Sequence, residues 1–85
     1  MKNKEIIARA AVRAGVLTAD QAVDMVERDG DIPFHTLQGW KLRGKYKVKR
    51  GEEGTEVKLW RKKDDGSGFY LAKAYLYGKD QIEQE

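Results

Sequence analysis

The feature that most constrains this chain is the run Asp64-Asp65-Gly66-Ser67-Gly68 and what lies on either side of it. Aspartate and serine side chains bond nearby backbone groups, and glycine reaches positive φ at no steric cost, so the run has the chemistry of a tight loop. Before it, Glu56 to Lys63 alternates: Val57 and Leu59 point one way, Lys58, Trp60 and Lys62 the other. After it, Phe69 to Tyr77 is the most β-prone stretch of the chain, apolar on both faces except at Lys73. Two such runs joined by such a loop are an antiparallel hairpin. An even number of loop residues sets Val57 and Leu59 on one face with Ala72, Ala74 and Leu76. Lys58, Trp60, Lys62, Leu71, Lys73 and Tyr75 then share the other face. A slip of one residue would put Lys73 beside the apolar pair, which costs free energy unless its stem snorkels, so the first register is preferred.

Upstream of the hairpin the period changes to that of a helix. Ile6, Ile7, Ala10, Ala11 and Ala14 recur at three-to-four spacing, which predicts a helix over 4–14 closed by Gly15. Thr18 with Gln21 three residues on forms a capping-box pattern for a second helix over 19–28. Ala22, Val23, Met25 and Val26 form its apolar side, and Gly30 is expected to end it. Pro33 biases Ile32 toward extended backbone. A short third helix over 36–43 follows, with Thr36 as N-cap, Leu37 and Trp40 facing inward, and Gly39 weakening it unless a neighbour packs closely there. Tyr46 and Val48 then alternate with lysines, and Gly51-Glu52-Glu53-Gly54 is a turn. The expected fold is α+β: three N-terminal helices packed on a small, mainly antiparallel sheet with strands at about 46–50, 56–63 and 69–77. Gln81 to Glu83 adds a last turn or short edge strand. With 85 residues, no repeat and no long linker, one domain is expected, a helical segment over 1–30 preceding a core over 32–83.

A chain of this length buries only about 60–65% of its unfolded surface. It has no cysteine and one histidine, which leaves no disulfide, no thiolate metal site and no zinc site built on His35 alone. No apolar run approaches the ~20 residues of a membrane span. The expected setting is the cytoplasm, without membrane, metal or cofactor. No serine or cysteine nucleophile stands beside a base, and the adjacent pairs Glu52-Glu53 and Asp64-Asp65 read as turn chemistry rather than acid/base catalysis. The chain is therefore expected to bind rather than catalyse.

Net charge is +3, but the charge is unevenly placed. From Lys41 to Arg50 there are six cations and no acid, whereas Asp20 to Asp31 carries five acids against Arg28 alone. Such asymmetry steers an anionic partner to one side. Single-stranded nucleic acid is held by cations along a groove together with aromatic platforms for the bases. The basic, aromatic and glycine-punctuated stretch from Trp40 to Trp60 offers both. Tyr46, Tyr70, Tyr75 and Tyr77 are further aromatics in reach. Trp40, at helical spacing from Leu37, is assigned to the core. The candidate nucleic-acid site is thus Lys45, Lys47, Lys49, Arg50, Lys58 and Trp60, joined by Lys73 and Tyr75 from the neighbouring strand.

Several short motifs in order also carry a resemblance. Ile32-Pro33-Phe34-His35-Thr36, Gln38-Gly39-Trp40-Lys41, Gly44, Val48-Lys49-Arg50-Gly51-Glu52, Leu59-Trp60 and Lys79-Asp80-Gln81-Ile82-Glu83 resemble the N-terminal domain of ArdC-type antirestriction proteins, above all short phage and mobile-element proteins built from that domain alone. The resemblance spans Ile32 to Glu83. It implies single-stranded DNA binding and protection of incoming DNA from host defence, in a bacterial host cell. Of the matched positions, Lys49 and Arg50 are the implied DNA contacts. Three departures stand out: the metalloprotease-like domain of full-length relatives is absent, Tyr77-Gly78 replaces a phenylalanine-containing run, and the segment before Asp31 lies outside the shared core.

Two other readings use different features. A small inhibitor of the anti-CRISPR type would bind a host defence protein through the acidic stretch Asp20 to Asp31. A winged-helix duplex binder would use Thr36 to Arg43 as its recognition helix.

Overall fold

The computed structural model describes residues 2–85. The fold is α+β: α1 (Asn3–Arg13), α2 (Ala19–Glu27), β1 (Phe34–His35), α3 (Leu37–Arg43), β2 (Tyr46–Val48), β3 (Thr55–Lys62), β4 (Phe69–Gly78), a single 3-10 turn (Lys79–Gln81) and β5 (Ile82–Gln84). The three expected helices are present within a residue or so of their expected ends. Thr18 caps α2 as its spacing predicts: the Gln21 N–H donates to Thr18 Oγ1 at 3.1 Å and the Thr18 N–H donates to Gln21 Oε1 at 2.9 Å. Thr36 Oγ1 likewise accepts the Gly39 N–H at 3.1 Å. The end of α2 differs from expectation. The left-handed residue there is Asp29, at φ +54°, rather than Gly30. Aspartate tolerates this region better than most residues, and its carboxylate is ion-paired with Lys4 of α1.

The hairpin has the preferred register. Val57 lies opposite Ala74, Leu59 opposite Ala72 and Trp60 opposite Leu71, with residues 63–68 looping between the paired Lys62 and Phe69. The loop is closed by the Lys63 N–H on the Gly68 carbonyl at 2.9 Å and by the Ser67 N–H on Asp65 Oδ1 at 2.9 Å. Gly66 and Gly68 take positive φ there.

One expectation fails. The alternation at 46–50 predicts a strand in the same sheet as the hairpin, but β2 is three residues long and lies outside it. The strand order is β1-β4-β3 in one sheet, with β2 and β5 forming a separate two-stranded antiparallel ribbon. Both sides of β4 are occupied, by β3 along its length and by β1 at its end, where Phe34 faces Gly78 and His35 faces Tyr77. The 3-10 turn then redirects the chain, so that Ile82, Glu83 and Gln84 meet Val48, Lys47 and Tyr46.

The core lies between α1–α2 and the inner face of the hairpin. Ala8, Ala10, Ala11, Ala22, Ile32, Phe34, Val57 and Leu76 are buried there, with Ile6, Ile7, Leu59 and Ala74 packed against them. The buried alanines of α1 let its backbone approach the sheet closely. Val23, expected on the inner side of α2, is exposed instead. Trp40 is 6% exposed, as its helical spacing implies, but it sits outside that cluster. Its indole N–H donates to the Tyr77 carbonyl at 2.8 Å, and its ring meets Tyr46 edge-on at a centroid distance of 5.5 Å. Trp40 is therefore the joint between β4 and the ribbon. His35 packs against the same indole at 4.9 Å, and its Cβ lies where a side chain on Gly39 would go.

Candidate nucleic-acid interface

The register decides what the outer face of the hairpin carries. Four cross-strand pairs lie along it: Glu56–Tyr75, Lys58–Lys73, Trp60–Leu71 and Lys62–Phe69. All eight residues are exposed. Trp60 is 38% exposed, Tyr75 46%, Leu71 48% and Phe69 64%. These are large apolar surfaces left in water, and they alternate with lysines. Lys58 and Lys73 face each other directly, an arrangement of like charges that destabilises an antiparallel pair. Glu56 relieves part of it: its carboxylate lies 3.5 Å from Lys73 Nζ and accepts the Tyr75 hydroxyl at 3.3 Å. Lys58 has no comparable acid among the described residues.

Trp60 is held by its backbone. Asn3, at the start of α1, accepts the Trp60 N–H on Oδ1 at 2.7 Å and donates from Nδ2 to the Trp60 carbonyl at 3.0 Å. One side-chain amide thus imitates a strand at the edge of β3. Hydrophobic periodicity gives no sign of this pair, whose members are 57 residues apart.

Of the eight residues expected from the sequence, the structure brings Lys58, Trp60, Lys73 and Tyr75 together on this face. It places Lys45, Lys47, Lys49 and Arg50 elsewhere, along the ribbon and the turn after it. There Lys47 meets an acid, and Lys45 and Lys49 are held through their backbone. Lys47 Nζ is 3.9 Å from Glu83, and the Lys45 carbonyl accepts the Glu85 N–H at 2.8 Å. The Lys49 N–H donates to the Gln81 carbonyl at 2.9 Å, and Gln81 Nε2 reaches the Glu53 carbonyl at 2.8 Å, so the turn 49–54 is tied down by its backbone. Arg50 is exposed within it. Of the other aromatics, Tyr46 and Tyr77 are half-buried and Tyr70 is exposed but opposite Arg61, off the outer face. Phe69 and Leu71 complete the face without being expected in the site. Their parity with Lys73 and Tyr75 is signal enough to find them.

Among the described residues no three histidine, aspartate or glutamate side chains converge as a metal site would require, and no helix is long and apolar enough to cross a membrane. His35 is held below its ordinary pKa, first by burial and then by the Arg43 guanidinium, with Asp31 acting against both. His35 Nε2 is 3.8 Å from Asp31, and Arg43 Nη2 is 3.2 Å from the same residue. No family model, curated protein or solved structure matches this chain.

Proposed function

We propose that this chain is a non-catalytic single-stranded DNA-binding module and that the outer face of the β3–β4 hairpin is its binding surface. The observation that carries the reading is the open row Trp60, Leu71, Phe69 and Tyr75 interleaved with Lys58, Lys62 and Lys73. Exposed apolar patches of this kind mark interaction surfaces. Bases stack on the aromatic faces, and a phosphate supplies the counter-charge that Lys58 lacks. Stacking is tolerant of sequence because every base has a π-face. The motifs that resemble the N-terminal domain of ArdC-type proteins support the same ligand. They suggest the bacterial cytoplasm as the setting, with a phage or mobile-element protein shielding incoming DNA from restriction.

The test is a titration of labelled oligonucleotide at two salt concentrations. Affinity is expected to fall as salt rises, with a log–log slope of about −0.7 per phosphate contacted. Absence of binding at low salt would end this reading.

A second reading has its own observation. An apolar groove runs between α1 and α2, lined by Ala8, Val12, Ala22, Val23 and Val26 and edged by Glu5, Arg9 and Glu27. With the acids from Asp20 to Asp31 nearby, it suits an inhibitor that docks on a host defence protein. Recovery of a nuclease on the immobilised chain, lost when Val23 is changed to aspartate, would favour it. A duplex-reading α3 has less support: this helix is seven residues long, packs on the strands, and has Arg43 occupied by Asp31.

A further inference from the structure

At the end of the outer face an open slot of about 530 Å³ is lined by Trp60, Phe69, Lys2 and Asn3. The two aromatic residues are diagonal neighbours across the ladder, since Trp60 faces Leu71 and Phe69 faces Lys62. Diagonal positions stand about 7–8 Å apart, within reach of aromatic side chains. The slot is therefore mainly apolar, with Lys2 in its lining and Lys62 across the ladder from Phe69.

We infer that this slot takes a single nucleobase between Trp60 and Phe69, with Lys2 on the adjoining phosphate, and that Asn3 is the residue positioning Trp60 for it. The inference rests on the nucleic-acid reading above and deepens it. A flat, apolar, uncharged ring attached to an anion matches the slot on both counts: aromatic walls for the ring, ammonium groups for the charge. An aliphatic or acidic peptide side chain matches only one. Asn3 matters because β3 ends two residues beyond Trp60 and a strand end frays. Its amide fixes both backbone groups of Trp60, and so the base of that side chain, against the start of α1. The helical segment that lies outside the ArdC-like core thereby contributes directly to the site.

The experiment compares an oligothymidylate with an abasic strand of equal length and charge, on the wild-type chain and on Phe69→Ala and Asn3→Ala. The wild-type chain is expected to bind the base-bearing strand about tenfold more tightly. Phe69→Ala, at a position that is mostly exposed, is expected to reduce that preference severalfold, with Trp60 and Tyr75 still offering stacking surface. Asn3→Ala is expected to reduce the preference as well. Equal wild-type affinity for the two strands overturns the slot and leaves a charge-held strand as the function. A preference untouched by Phe69→Ala overturns it as well. If Asn3→Ala weakens both strands equally, Asn3 is not a positioning residue. Failure of both strands to bind overturns both the slot and the reading it rests on.

Discussion

The outer face of β3–β4 and the β2–β5 ribbon are both antiparallel pairs bearing lysines at alternate positions, yet their neighbours across the ladder differ. In the hairpin, lysine meets lysine at 58 and 73, and the positions between are filled by Trp60, Leu71, Phe69 and Tyr75. In the ribbon, Lys47 meets Glu83, and the aromatic member, Tyr46, is turned against Trp40. The densest run of cations in the sequence therefore falls on a short ribbon with no open aromatic surface beside it. The sparser cations fall where the fold supplies open aromatic surface. A lysine's value in holding a phosphate depends on its cross-strand partner, and a linear tally of charges does not contain that partner.

The comparison can be broken most forcefully at its joint. Trp40→Ala is expected to cost about 3–5 kcal/mol, a large share of the ~5–15 kcal/mol typical of a small domain. It should also raise amide exchange at residues 46–48 more than within β3 and β4; a urea titration and an exchange map would show this. Equal loss of protection in both regions would mean that they do not behave as distinct units. The second substitution is Trp60→Ala. It is expected to leave stability within about 1 kcal/mol and to weaken oligonucleotide binding by about 1–3 kcal/mol. Quenching of tryptophan fluorescence by bound strand should vanish with it, because Trp40 is buried.

A smaller effect separates the two sets of lysines. Replacing Lys58 and Lys73 by glutamine is expected to flatten the salt dependence of binding, by about 0.7 in log–log slope for each phosphate no longer held. The same change at Lys47 and Lys49 is expected to leave the slope nearly unaltered. If the ribbon pair flattens it more, the strand runs over the ribbon and the two surfaces exchange roles. The smallest effect is on stability near neutral pH, where His35 is the only histidine. Its folded pKa is depressed, so the unfolded chain binds its proton more readily. Stability should therefore be full above about pH 6.5 and decline as pH falls through the window just below it. His35→Gln should remove that slope from thermal melts taken between about pH 7.5 and 5.5, a window that brackets the ordinary histidine pKa.

Much of the fold is legible in the sequence because its signals are local. The Asp64–Gly68 loop fixes the hairpin and its register, Thr18 and Gln21 fix the start of α2, and the spacing of Leu37 and Trp40 places the indole inside. The ribbon is not legible. A three-residue strand carries almost no periodicity, and the partner of Tyr46 lies 38 residues away at Gln84. The lysines at 45, 47 and 49 look like a free basic edge because nothing nearby in sequence announces Glu83 and Glu85 as their neighbours. Half of the candidate site follows from strand parity alone. Asn3 follows from nothing in the sequence, because one amide on one backbone segment leaves no repeating pattern.

That same amide has a consequence for the chain in a crowded solution. β3 is an outer strand, and an outer strand offers its backbone groups to any extended segment that passes. A long apolar edge beside Trp60 would be a template for stacking one molecule on another. Asn3 occupies the Trp60 N–H and carbonyl, the two groups such a visitor would need in the middle of its run. Any strand arriving there must either displace a helix or break its own ladder. The chain can therefore leave an aromatic face open without also leaving an open seam along which copies could add end to end.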